Sequence, residues 1–336
     1  MARTTIKDVS DAAGVSIKTV SRVLNKERYV REETRLKVEA AVARLNFHPS
    51  FVARTLAGRR SFQIGLIYDN PNAYYVQNMQ EGVRARCIES NFRMIVQPCD
   101  INSPTLVEDV DGLIDQTHLD GLIVCQPIAD APAVLAALER RGIPFVRIQP
   151  EREPAEAAAT LIDNAQAADD MTAYLIGLGH RRIGFVEGHP NCQVGKRRRA
   201  GFEQAMARAG IPVLAELVQP GAFDFRSGSA AAEALLALAE PPSAIFASSD
   251  DMAAGVLATA HRLGVAVPER LSVAGFDDTD LASTVWPFLT TIHQPIRDLG
   301  YAAADLLIGT DFDSAERRML PYELIVRGST ARPFAG

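Results

Sequence analysis

GVSIKTVSRVLN, Gly14 to Asn25, holds a glycine turn, a helix start and a helix with two chemically different faces. Val20, Val23 and Leu24 fall at helical spacing on one side, while Lys18 and Arg22 stand four apart on another. Ser16 has the chemistry of an N-cap and Asn25 that of a stop. One short helix thus keeps an apolar face for its own protein and offers a basic face to something else.

The flanking residues supply the rest of a motif. Ile6, Val9, Ala12 and Ala13 give a first helix, opened by Thr4 or Thr5. A third runs from about Glu32 to Leu45, with Val38, Val42 and Leu45 facing inward. Two short helices about a glycine turn, buttressed by a third, predict a helix-turn-helix whose second helix fits the major groove. Ile17 and Lys18 then face base edges, and Arg22 follows one turn on. Lysine and arginine pair with guanine acceptors, and Ile17 suits a thymine methyl. A plain three-helix bundle leaves the basic face without a reason.

Charge agrees with this division. Residues 1–60 carry 13 Lys or Arg against 6 Asp or Glu, whereas the remainder carries 22 against 35, within a net −6. A basic head on an acidic body is expected when only the head meets a polyanion. A length of 336 residues predicts two or three units, and 47% apolar content suits buried cores. There is no apolar run long enough to span a bilayer, and MARTTIKDVSD lacks a secretion signal, so a cytoplasmic location is expected. Cys87, Cys99, Cys125 and Cys192 are scattered without metal-ligand spacing and read as buried free thiols. No metal or cofactor is expected.

NFHPSFVARTLAGRRS, Asn46 to Ser61, carries a second signal. Pro49 favours a helix start and Gly58 a stop, leaving about two turns between, too few to be stable alone. Val52 and Leu56 share a face. A hinge helix that folds on binding, paired with its twin from a second subunit, would push an apolar wedge into a minor groove.

Downstream, IGLIYD (64–69), FRMIVQ (92–97), DGLIVC (120–125), PFVRIQ (144–149), RIGFVEG (182–188), SAIFASSD (243–250) and LSVAGFD (271–277) read as strands. Helical stretches such as APAVLAALERRG and MAAGVLATAHRLG separate them. This order predicts parallel sheets covered on both faces, in two lobes, with ligands outside the carboxyl ends of the strands. In GFDDT, Asp277 ends a strand and is suited to accept from two sugar hydroxyls.

These residues resemble the lactose- and galactose-repressor (LacI/GalR) family. Thr5-Ile6-Lys7-Asp8-Val9, Ala12-Ala13-Gly14-Val15-Ser16, Thr19-Val20-Ser21-Arg22-Val23-Leu24-Asn25 and Ala53-Arg54-x-Leu56 carry the likeness, which continues through the body. It implies major-groove contacts by Ile17, Lys18 and Arg22. It also implies phosphate contacts around Thr5, Ser16, Ser21, Asn25, Tyr29 and Thr34, with Ala53 and Leu56 in the minor groove. Phe47-His48-Pro49-Ser50 departs from the family's frequent Tyr-x-Pro-Asn, and Ser10 replaces a common alanine. For the effector the resemblance points to Arg198, to Phe223 as an aromatic platform, and to Asp163 and Ser249, the latter where asparagine is frequent. Asn70, Tyr75 and Arg147 are the first-lobe candidates. It further implies that LTTIHQP and ELIVRGS cross between lobes. An arginine, a carboxylate and an aromatic face suit a neutral mono- or disaccharide.

Catalytic signals fail. In GHPNCQVGKRR six residues separate Gly188 from Gly195, and Arg197 stands where a P-loop needs Ser or Thr. No GxSxG or HExxH occurs, and His180 reads as a structural hydrogen bonder. Asp250-Asp251 and Asp277-Asp278 are strand neighbours facing opposite ways, so neither pair is a dyad. An exported binding protein would have no use for residues 1–60. The expected fold is α/β: an all-α helix-turn-helix head and a two-lobed, periplasmic-binding-protein-like body with parallel sheets. The expected domains are 1–47 (head), 48–60 (hinge helix) and 61–336 (effector and dimer domain). Lobe one covers about 61–161 and 293–320, and lobe two about 162–290 and 321–330. Function is read as sugar-released repression by a homodimer on a near-palindromic operator.

Overall fold

The computed structural model describes residues 4–24, 29–47, 60–151, 157–309 and 312–334. The chain divides into two units, residues 1–61 and 62–336.

In the first unit, α1 (Ile6–Ala13) starts at Thr5. The Thr5 hydroxyl accepts from the Asp8 amide, and the Asp8 carboxylate accepts from the Thr5 amide, a reciprocal cap. Gly14 ends the helix at φ 65, a left-handed conformation that costs glycine little. Then come α2 (Ile17–Leu24) and α3 (Glu32–Arg44). Val9, Val20, Val23, Val38, Ala41 and Phe47 form the buried core of this small unit. The departure at Ser10 has a structural role: its buried hydroxyl donates to the Val15 carbonyl at 2.5 Å and pins the turn between α1 and α2. Phe47 closes the core from beyond α3. The hinge-helix expectation for 48–60 falls, apart from Arg60, outside the described residues.

The second unit holds two parallel sheets. In the first, β1 (Gln63–Tyr68), β2 (Arg93–Pro98), β3 (Gly121–Val124), β4 (Phe145–Ile148), β5 (Ala159–Leu161) and β11 (Arg317–Met319) run in the order β11-β5-β4-β3-β1-β2. In the second, β6 (Ile183–Val186), β7 (Val218–Gln219), β8 (Ala244–Ala247) and β9 (Ser272–Ala274) run β7-β6-β8-β9. Every residue of β3, β6 and β8 is buried, because helices cover both faces of each sheet.

The chain passes between the lobes at three places. β5 leads into α7 (Asn164–Leu178) of the second lobe. β10 (Thr291–His293) returns from the second lobe to α11 (Ile296–Ile308), which packs on α4 (Ala73–Glu89) of the first. β12 (Glu323–Ile325) pairs antiparallel with β10 and leads to a tail bonded to β9, where the Val273 amide donates to the Ser329 carbonyl at 2.8 Å. The two segments expected to cross therefore form one ribbon.

Close helix contacts stiffen each lobe. A methyl at Gly82 in α4 would overlap the Arg297 carbonyl of α11. Gly201 in α8 (Gln193–Arg208) meets α7 in the same way, as does Gly228 in α9 (Phe225–Leu236) against α10 (Asp250–Arg262). His180 is buried between Ser243 and the tail, with Nδ1 2.8 Å from Ser243 Oγ and Nε2 2.9 Å from the Ala331 carbonyl. It is the structural residue expected.

Candidate functional site

The head presents a polar face around the start of α2. Ser16 Oγ accepts from the Thr19 amide at 3.1 Å, so the serine caps the helix. Beyond it Ile17 is 47% exposed, a large apolar side chain left uncovered by its own unit. Lys18 and Arg22 are exposed, Ser21 and Thr34 are half-buried, and Tyr29 stands almost wholly in solvent. Thr5 is exposed at the start of α1. Asn25, Ala53 and Leu56 lie outside the described residues.

In the second unit, the carboxyl ends of both sheets open on a cavity of about 410 Å³. Asn70 follows β1, Gln126 follows β3, His189 and Cys192 follow β6, and Phe223 follows β7. A smaller recess of about 40 Å³ shares Asn70, Gln126, Cys192 and Phe223 and adds Tyr75, Gln149, Arg198 and Asp277. Five of the eight expected effector residues therefore meet here: Asn70, Tyr75, Arg198, Phe223 and Asp277.

Arg198 and Asp277 form its charged centre. Arg198 is 4% exposed; its Nη1 donates to the Ser248 carbonyl at 2.5 Å and lies 3.4 Å from Asp277 Oδ1, while Nε donates to Asn164 Oδ1 at 3.1 Å. The guanidinium lies 3.5 Å over the Phe276 ring centroid, a cation–π contact in a desolvated setting. Burial pushes the Asp277 carboxyl up to about 7, with Arg198 and a 2.6 Å bond from Gln294 Nε2 pulling the other way. Gln294 and Arg198 bond Asp277 through Oδ1, while Oδ2 and Arg198 Nη2 make no hydrogen bond among the described residues. Both residues line the recess, so it holds an acceptor and a donor, the two functions that a hydroxyl-bearing ligand uses.

Phe223 supplies the apolar wall. Its backbone is left-handed at φ 60, uncommon for a bulky residue, and its ring lies against Gly188. Tyr75 faces the recess from α4, with burial raising its phenol well above the ordinary range. Aromatic faces with few polar groups are usual in small-molecule pockets.

Three expected effector residues do not line the cavity. Arg147 is fully buried behind it, where Nε donates to the Ala129 carbonyl and Nη2 to Asp130 Oδ1, both at 2.7 Å. A buried guanidinium needs such partners, and they hold it in the wall. Asp163 is exposed: its carboxylate caps α7 by accepting from the Gln166 amide at 2.9 Å. Ser249 caps α10, accepting from the Met252 amide at 3.3 Å. In the last two cases a neighbour reaches Arg198 instead, through the Asn164 side chain and the Ser248 carbonyl.

Sequence reasoning missed the amides around this centre. Gln149 Nε2 donates to Gln294 Oε1 at 3.0 Å, and its Oε1 accepts from Asn164 Nδ2 at 3.0 Å. The lobes are also tied across the cleft. Asn72 Nδ2 donates to Asp251 Oδ2 at 2.6 Å, Asn191 Nδ2 to Asn102 Oδ1 at 3.0 Å, and Arg197 pairs with Glu151 at 2.9 Å. Nothing in the sequence marks these partners, which lie 46 to 179 positions apart.

Comparison with known proteins places this geometry. Residues 5–50 match the model of bacterial regulatory proteins of the lacI family, and residues 172–330 match a periplasmic binding protein-like domain. The HTH-type transcriptional repressor PurR of Klebsiella pneumoniae (strain 342) is 38% identical over 90% of this chain and 89% of its own length. The chain belongs to the lacI family. Among solved structures, the lac repressor dimer bound to operator and the anti-inducer ONPF is similar with a TM-score of 0.81 and 27% identity, covering 98% of this chain and 100% of that one. A complex of the transcriptional regulator CelR with cellobiose follows at 0.74 and 29%, covering 97% and 100%. This lacI-family protein is therefore a DNA-binding transcriptional repressor and not an enzyme. Operator DNA and a small-molecule effector are its partners. Among the described residues no helix is long and apolar enough to cross a membrane, and no cluster of His, Cys, Asp and Glu could hold a metal ion.

Proposed function

We propose that this repressor controls carbohydrate-utilisation genes and leaves its operator when a neutral mono- or disaccharide enters the cavity between its lobes. The observation that carries this reading is the Arg198–Asp277 pair, an open donor beside an open acceptor, with the Phe223 ring as an apolar wall. A sugar presents both kinds of hydroxyl function and an apolar ring face. The Arg198 charge is already engaged by Asp277 and the Ser248 carbonyl, which disfavours an anionic ligand. The cellobiose complex of a 29% identical regulator supports the ligand class. Asn70, Tyr75, Arg198, Phe223 and Asp277 are the contacts we assign.

On the DNA side, Ile17, Lys18 and Arg22 read base edges. Thr5, Ser16, Ser21, Asn25, Tyr29 and Thr34 meet phosphates, and Ala53 and Leu56 enter the minor groove from the hinge of residues 48–60. Two copies read the two halves of a near-palindromic site. Trp286, 81% exposed and packed edge-on against the half-exposed Phe288, gives the second unit an apolar surface suited to such pairing.

A second reading rests on the same wall: Phe223 above an Arg–Asp pair also fits a flat heterocyclic base. Thermal-shift screening of the full chain against mono- and disaccharides and nucleobases separates the two. Selection of bound duplexes from a random pool then supplies the operator for release assays. A shift with a saccharide that also releases the selected duplex supports the reading. A shift with nucleobases alone, or release by no saccharide, overturns it.

A further inference from the structure

Asp277 and the next residue, Asp278, both have positive φ, 121 and 54. Two successive non-glycine residues in this region persist only where the surroundings hold them. The backbone supplies part of the hold: the Asp277 amide donates to the Ile292 carbonyl at 2.9 Å, and the Gln294 amide lies 3.4 Å from the Asp277 carbonyl. The Thr279 amide, donating to Asp250 Oδ2 at 2.8 Å, fixes the following residue, and a side chain outside the cavity adds to the hold. Asp278 Oδ1 accepts from Arg327 Nη2 at 2.6 Å, and Oδ2 lies 3.0 Å from His293 Nδ1. Arg327 is itself anchored, with Nη1 donating to the Leu289 carbonyl at 2.8 Å and its amide to Thr290 Oγ1 at 2.9 Å.

The two clamping residues come from the two crossing strands. His293 ends β10, and Arg327 stands two residues beyond β12. We propose that Asp278 is a positioning residue for the effector site. Clamped by His293 and Arg327, it holds the left-handed step that turns the neighbouring Asp277 carboxylate toward Arg198 and the cavity. The ribbon linking the lobes and the group that meets the ligand thus share one peptide step. A shift of β10 against β12 would loosen the clamp and move Asp277. An ordinary half-exposed ion pair would leave the site unchanged when broken.

The inference rests on Asp277 as the effector-facing carboxylate, but its test needs no ligand. Crystal structures of the full-length Asp278→Ala variant and of the His293→Leu/Arg327→Leu double variant are compared with wild type. The expected result is that Asp277 relaxes to negative φ and loses its contacts with Gln294 and Arg198 in both variants. Asp278→Asn, which tolerates the left-handed step and still accepts from Arg327, should keep them. The double variant leaves residue 278 native, so it decides the matter if Asp278→Ala does not fold. Asp277 unmoved in a folded variant that lacks the clamp would overturn the proposal. A failed ligand screen would instead count against the saccharide reading alone.

Discussion

The Phe223 ring occupies the space that any side chain at Gly188 would fill: a Cβ there would overlap the ring carbons. The wall of the cavity thus depends on a residue that follows β6, on a different loop. Gly188→Ala should push the ring aside and lower effector affinity about tenfold, while operator affinity stays within twofold. A tenfold loss corresponds to about 1.4 kcal/mol. Calorimetric titration and gel shift on the same preparation check both halves.

Protonation of Asp277 should set the pH range of the response. On the proposed saccharide reading a ligand hydroxyl donates to the ionised carboxylate, whose pKa stands at about 7 through burial. Affinity should fall up to about tenfold per pH unit below that value and level off above it. The effect on folding has the opposite sign. A raised carboxyl pKa means that the folded state holds this proton more tightly than the unfolded chain. Its contribution is therefore greatest at low pH and is lost as pH rises through 7. Asp277→Asn should abolish both dependences, and affinity titrations from pH 5.5 to 8.5 would show it.

His180 works in the other direction. Burial lowers its pKa, so the folded state prefers the neutral ring that bridges Ser243 and the tail. Its stabilisation is complete above the ordinary histidine pKa and erodes as pH falls below it. The gap in melting temperature between wild type and His180→Gln should narrow from pH 7.5 to pH 5.5.

For the head, Ser10→Ala removes the hydrogen bond to Val15 and leaves that carbonyl to water. The expected cost is about 1 kcal/mol in the small unit. It should appear as a lower first transition in calorimetry, with effector binding untouched.

Base reading and hinge wedging should separate by salt and by sequence. Lys18→Ala should weaken operator binding by about 1–3 kcal/mol and relax preference at one base pair. Leu56→Ala should weaken it without changing the number of phosphates met, so the slope of log affinity against log salt stays constant. Gel shifts at four salt concentrations give both quantities.

The head and the strands were legible in the sequence because their signals are local. Apolar spacing, a glycine turn and capping side chains act within a few residues, and α1 to α3 follow them closely. The lining of the candidate cavity was legible only where a polar residue has no local use for its side chain. Asp163 and Ser249 are cleft candidates through the family resemblance, yet the following helix claims both as caps, and the inward contacts pass to Asn164 and the Ser248 carbonyl. Arg147 is likewise diverted by Asp130, which stands 17 positions earlier in a short turn. Gln149, Gln294 and Asn72 act through partners far along the chain, and no spacing rule reports them.

The glycine contacts that press α4 on α11, α7 on α8 and α9 on α10 leave each lobe little room to deform. Ligand-driven change is then expected at the three crossings, with each lobe travelling as a solid piece. Two fluorophores, one fixed to each lobe, would report a single distance with two values, making the molecule a ready scaffold for an optical sensor of whatever its cavity accepts.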